Sequence, residues 1–111
     1  IKGRIFIIKN YFEKIARFNF DNLCNQNIGA EDYIKIAEVC DFIVIENIPK
    51  FNDENINKQQ RFITLIDILY EKKISLMTSS YTNLESFGSS RALLNSFKRT
   101  LSRLYELTSI N

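Results

Sequence analysis

The feature that most constrains this chain is Phe42-Ile43-Val44-Ile45, four apolar side chains in unbroken succession. Successive side chains of a strand point to opposite faces, so a run with no polar alternation reads as a strand buried on both faces. A long helical pattern follows it, and then a second short apolar run, Ile74-Ser75-Leu76-Met77. Two such runs joined by a helix predict one right-handed βαβ unit with parallel strands.

The remaining pattern extends that unit. Ile5 to Ile8 is compact and β-rich. Ile15-Ala16-Arg17-Phe18-Asn19-Phe20 alternates apolar and polar, as a half-exposed strand does, and Asp21 is placed to cap one helical turn behind it. Beyond Gly29, Tyr33, Ile34, Ala37 and Val39 or Cys40 fall near helical spacing, with Glu31 and Asp32 complementing the dipole of the first turn. Asn52-Asp53-Glu54 starts a helix that runs to Lys72-Lys73 and carries the stripe Phe62, Leu65, Ile66, Leu69 and Tyr70. A loop with Asn83 and Gly88 leads to a last helix, roughly 91–108, whose buried stripe is Leu94, Phe97, Leu101, Leu104 and Tyr105. Strands alternating with helices predict an α/β fold, a small parallel or mixed sheet flanked by helices.

At 111 residues the chain is one domain at most, or part of one. It contains no histidine, which removes histidine acid/base catalysis, Cys/His dyads and the usual zinc spacings. Cys24 and Cys40 are its only cysteines and read as reduced thiols of a cytoplasmic protein. No apolar run approaches the roughly 20 residues of a membrane span. The net charge of +2, with scattered lysines, argues against a nucleic-acid surface. The chain opens at Ile1 and runs almost at once into a strand pattern, which suggests a fragment.

Three constellations have chemical potential. Glu46 ends the apolar Phe42–Ile45 run, as does the acidic residue by which P-loop ATPases hold magnesium; equally, it is a polar residue leaving a strand. Arg99 and Arg103, spaced i and i+4, can reach one point beside their helix, either a phosphate or, on a solvated face, Glu106. Arg61 stands on the long helix, with Asp67 and Tyr70 further along. Helix capping accounts for Asp21, Glu31 and Asp32 without a carboxylate-based hydrolase. No G-x-x-x-x-G-K-[ST] phosphate loop occurs in the 111 residues.

Several stretches, in order, resemble the C-terminal part of the ZapE-like P-loop ATPases, the AAA-allied cell-division ATPases of bacteria and their mitochondrial relatives. Phe18-Asn19-Phe20-Asp21-Asn22-Leu23-Cys24 is similar to the family's F-x-F-D-x-L-C, and Ile28-Gly29-Ala30-Glu31-Asp32-Tyr33 to its L-G-x-x-D-Y. Asn47-Ile48-Pro49 resembles its I-P stretch, and Arg61 to Tyr70 resembles R-F-x-x-L-I-D-x-L-Y. Arg99-Thr100-Leu101-Ser102-Arg103-Leu104-Tyr105-Glu106 resembles R-T-x-S-R-L-x-E. Gln60 and Leu107 depart from the pattern, where the family tends to arginine and methionine.

The resemblance implies one segment, 1–111, forming the distal part of a P-loop NTPase-like fold. The phosphate loop, the Asp-Glu magnesium strand and the sensor strand lie upstream of it in the family, so Glu46 is not that magnesium carboxylate. ATP and Mg2+ are implied for full-length members and none for this chain alone, with no catalytic residue and no metal ligand here. Arg61, Arg99 and Arg103 match charged family positions and are the candidates for contact with nucleotide or a neighbouring subunit. The implied partners are the missing N-terminal ATPase half or sister subunits and, in bacteria, the division-ring protein. The alternative is a non-enzymatic interaction module or a decayed gene remnant.

Overall fold

In a computed structural model, which describes residues 14–24, 27–80 and 88–108, the unbroken apolar run forms the middle strand of three. The elements are β1 (Ile15–Asn19), α1 (Phe20–Leu23), α2 (Ala30–Val39), β2 (Phe42–Ile48), α3 (Ile56–Glu71), β3 (Ser75–Ser80) and α4 (Leu94–Thr108). The predicted strand at Ile5–Ile8 and the loop around Asn83 lie outside the described residues. Strand order is β1-β2-β3, and both pairings among the described residues are parallel.

Two right-handed crossovers that step in the same direction put their helices on the same face of a sheet. Accordingly α2, α3 and α4 lie side by side with α3 in the middle. The covered face presents Ala16, Phe18, Ile43, Ile45 and Leu76, which join Tyr33, Ile36, Phe62, Leu65, Ile66 and Leu69 in one core. The opposite face holds Ile15, Arg17, Phe42, Val44 and Met77, all half-buried or exposed. The expectation that Phe42–Ile45 is buried on both faces is therefore corrected: the described helices cover one face, and Phe42 and Val44 on the other are only half-buried.

Local chemistry explains the boundaries. Asn19, not Asp21, caps α1, its side chain accepting from the Asp21 N–H at 3.1 Å. Asp32 reaches back from α2 to accept from the Gly29 N–H at 3.1 Å, satisfying one orphan donor of the helix start. The α2 stripe is Tyr33, Ile36, Ala37 and Cys40, whereas the predicted Ile34 and Val39 are exposed. Asn52 caps a 3-10 turn, Asp53–Asn55, that precedes α3. Lys73, just past the end of α3, is left-handed at φ 57°. The predicted α4 stripe narrows to Phe97, Thr100 and Leu104, with Leu94 and Tyr105 turned out to solvent.

The end of β2 is irregular in a way that matters. Ile45 pairs with Thr78 and Ile48 with Ser80, so β2 has one residue more than β3 in this interval. That is a β-bulge, and Asn47 takes a left-handed φ of 62° in it. Strict alternation would bury residue 47 after 43 and 45; the bulge exposes Asn47 and buries Ile48. The Asn47 N–H donates to Ser79 Oγ at 3.2 Å.

Beyond the bulge, four phenylalanines lock the carboxyl edge of the sheet to the helices. Phe51 lies 5.6 Å from Phe20, 5.6 Å from Phe62 and 5.3 Å from Phe97, ring centre to ring centre. These rings come from α1, α3 and α4. The Phe51 backbone also bridges Gly88 in parallel fashion, which brings the start of the α4 segment over the start of α3.

Candidate functional site

In open parallel sheets, ligands bind beyond the carboxyl ends of the strands, where successive helices begin and loops diverge. Here that edge carries a polar cleft of about 660 Å3 between α1 and the start of α3. Its walls include Asp21, Asn52, Asn55, Lys58 and Arg61, with buried Cys24 at its base. Lys58 Nζ is 3.2 Å from Asp21 Oδ1, an exposed pair across the cleft. Arg61 is half-buried and pairs with no carboxylate among the described residues.

The cleft floor offers no nucleophile. Burial pushes the Cys24 thiol up to about 12, although Arg61 and Lys58 pull the other way, so it stays protonated. Burial likewise raises the Tyr33 phenol, whose hydroxyl donates to the Leu23 carbonyl oxygen. Cys24 and Tyr33 belong to the packing beneath the cleft rather than to chemistry within it.

Arg99 and Arg103 converge, as their i, i+4 spacing predicts, on one point, and that point is the Asp67 carboxylate of α3. Arg103 Nη1 donates to Asp67 Oδ1 at 2.6 Å, and its guanidinium carbon lies 4.8 Å from the Tyr70 ring centre. Arg99 Nη2 stands 3.9 Å from the other Asp67 oxygen and its side chain is 63% exposed. One carboxylate thus faces two guanidiniums, and the outer one is held loosely. Glu106, the acidic partner considered for these arginines, instead accepts from the Tyr70 hydroxyl at 3.0 Å. That hydrogen bond raises the Tyr70 phenol above its ordinary value.

Glu46 is engaged by a neighbouring strand. Arg17 on β1 donates to both its oxygens, each at 2.7 Å, a bidentate fork. That hydrogen bonding holds the Glu46 carboxyl below its ordinary range and raises the Arg17 guanidinium above its own. No group of three or more His, Cys, Asp or Glu side chains among the described residues could hold a metal ion.

The structure therefore separates the three predicted arginines. Arg61 stands alone in the cleft near the start of α3, while Arg99 and Arg103 meet Asp67, six residues and roughly 9 Å further along that helix. Sequence reasoning overlooked Lys58 and the clamp beside it. Gln59 is fully buried: its Nε2 donates to Ser89 Oγ at 2.7 Å and its Oε1 accepts from the Ser90 N–H at 2.9 Å. Asp53 accepts from the Arg91 N–H at 2.8 Å and from Arg91 Nε at 3.2 Å, bonds that hold its carboxyl below the usual range. Gln59 stood three residues before Phe62, in register with the apolar stripe, and that register was the available signal.

The profile of the AFG1-like ATPases matches residues 1–111, and the chain belongs to the AFG1-like ATPase family. Lactation elevated protein 1 homolog B of Danio rerio is 34% identical over 77 residues, 69% of this chain and 15% of that protein. An uncharacterised protein of Schizosaccharomyces pombe is 35% identical over 78 residues, covering 70% of the chain and 17% of the relative. Cell division protein ZapE of Escherichia coli is 29% identical over 91 residues, 82% of the chain and 24% of ZapE. The chain thus spans less than a quarter of the length of these relatives. No solved structure matches it. The resemblance to the ZapE-like ATPases is established by these matches, and the α/β architecture with a parallel sheet agrees with it.

Proposed function

We propose that this chain is the distal, C-terminal segment of an AFG1-like P-loop ATPase and does not hydrolyse ATP by itself. Its role in the assembled enzyme is to bring arginines to a nucleotide phosphate or to a neighbouring subunit. The observation that supports this reading best is Arg61: a half-buried arginine with no carboxylate partner among the described residues, in a cleft at the carboxyl edge of a parallel sheet. A guanidinium in that setting suits a phosphate oxygen supplied from outside the segment. Arg99, loosely held and exposed, is the second donor, while Arg103 is committed to Asp67 and Tyr70.

ATP and Mg2+ belong, in this reading, to the half that carries the phosphate loop. Backbone amides of such a loop cradle the β- and γ-phosphates, and no such sequence occurs in these 111 residues. The whole protein acts in the cytoplasm and, by analogy with the relative named for cell division, in division.

Calorimetric titration of the 111-residue chain with Mg-ATP tests the first part. No heat from a sample that melts cooperatively agrees with the reading; saturable binding overturns it. Arg61→Ala and Arg99→Ala at the matching positions of an intact relative test the second part. Unchanged ATP turnover in both variants removes the arginine role.

One observation favours a second reading, a non-enzymatic interaction module: a sheet face with apolar residues that no described helix covers. A phosphate loop followed by an Asp-Glu strand in the coding DNA just upstream decides for the ATPase. Its absence there decides for the module.

A further inference from the structure

The sheet face opposite α2, α3 and α4 is covered by no described helix. Its rows follow the register: Ile15, Phe42 and Ser75, then Arg17, Val44 and Met77. Ile15 is 44% exposed and Met77 50%, and both sit on strands whose other side is packed in the core. All-parallel sheets occur almost only where both faces are covered, and strands buried in that way are apolar on both faces. Phe42 and Val44 are the apolar outward residues of the central strand, where a half-exposed strand would carry polar ones. At one corner Arg17 and Glu46 neutralise each other in a bidentate pair, so the face calls for no counter-charge.

We infer that this face docks a helix with an apolar stripe, supplied by the part of the polypeptide that AFG1-like relatives carry outside this stretch. The inference rests on the segment reading above and adds the surface through which the segment joins the rest. The occupant follows from three facts. All the helices described here lie on the other face. The relatives have more than three quarters of their length elsewhere. The exposed row is apolar and locally charge-balanced, which suits an apolar helix face rather than an acidic or basic surface.

Lysine substitutions at Val44 and Met77 test it in two settings. Both positions fall within the 91 residues aligned with ZapE, whichever end of the chain is left out. In the 111-residue chain, Met77→Lys is expected to leave the melting temperature nearly unchanged, since that side chain is already 50% exposed. Lysine at either aligned position of intact Escherichia coli ZapE is expected to lower it by several degrees. Cysteine at the two aligned positions gives a second readout that does not depend on the lysine variants folding. Native ZapE should protect these thiols from iodoacetamide, whereas Met77→Cys in the 111-residue chain should react quickly.

Equal reactivity in both settings, or lysine at Met77 tolerated in both, overturns the inference, since the face then remains bare in the whole protein. Met77→Lys destabilising the short chain also overturns it, because the face is then covered from within. A concentration-dependent dimer of the chain that Met77→Lys dissolves assigns the face to a second copy and overturns it too. The segment reading fails separately, on saturable Mg-ATP binding by the chain alone.

Discussion

Phe51→Ala is the substitution that best tests how the carboxyl edge is held. The ring is 1% exposed and lies within 5.3–5.6 Å of three others, one on each of α1, α3 and α4. A buried phenylalanine removes about 200 Å2 from water, worth about 5 kcal/mol at 25 cal/mol per Å2, an upper figure for the whole residue. Alanine keeps its methyl group, and partial collapse fills some of the void, so the expected loss is about 3–5 kcal/mol. A domain of this size is stable by roughly 5–15 kcal/mol, so the variant should lose about a fifth or more of that margin. Urea unfolding of the 111-residue chain, followed by far-UV circular dichroism, measures it as a lower midpoint at unchanged slope. Phe51→Leu, which keeps most of the volume, should cost about 1.5 kcal/mol or less. A Phe51→Ala loss below about 1 kcal/mol at constant slope would refute the reasoning, because α1, α3 and α4 would then not share this ring.

Other outcomes follow from single features. Gly88→Ala should destabilise by about 1–2 kcal/mol from its φ of +70° alone, and more because the new Cβ would sit 2.6 Å from the Phe51 carbonyl oxygen; a shift in urea midpoint reads it. Arg103→Ala should cost about 1 kcal/mol and Arg99→Ala almost nothing, and a double-mutant cycle with Asp67→Ala should assign the coupling to Arg103, whose pair is short and half-buried. The Cys24 thiol is raised from 9.0 to about 12 by burial, so the native state holds its proton where the unfolded chain releases it; the associated stability is intact below pH 9 and falls as pH rises towards 12, visible as melting temperatures that drop through that window. For the same reason native Cys24 should resist iodoacetamide at pH 8 and react once the chain is unfolded in urea.

Much of the architecture was legible because its signals are local. The unbroken apolar run at Phe42–Ile45, the period of Phe62, Leu65, Ile66 and Leu69, and the asparagine before Asp53-Glu54 each state their element within a few residues. Stripe edges were less legible: Ile34, Val39, Leu94 and Tyr105 have apolar side chains at nearly helical spacing but are exposed. Periodicity gives a helix face about one residue of latitude, and only the neighbour packed against it decides which side is inward. The arginine pair shows the same division. Spacing predicted that Arg99 and Arg103 converge, but their partner, Asp67, lies 36 residues before Arg103 on another helix.

By itself the sequence determined the alternation of strands and helices, the α/β class and the family, since hydrophobic period and short motifs are properties of neighbouring residues. Tertiary structure decided what depends on residues distant in the chain. It placed every described helix on one face of the sheet, because both crossovers step the same way. It inserted a bulge at Asn47 that turns Ile48 inward, and among the described residues it left Arg61 without a carboxylate while giving Asp67 two guanidiniums. Charge pairing and burial are settled by approach in space, and sequence separation carries almost no record of that approach.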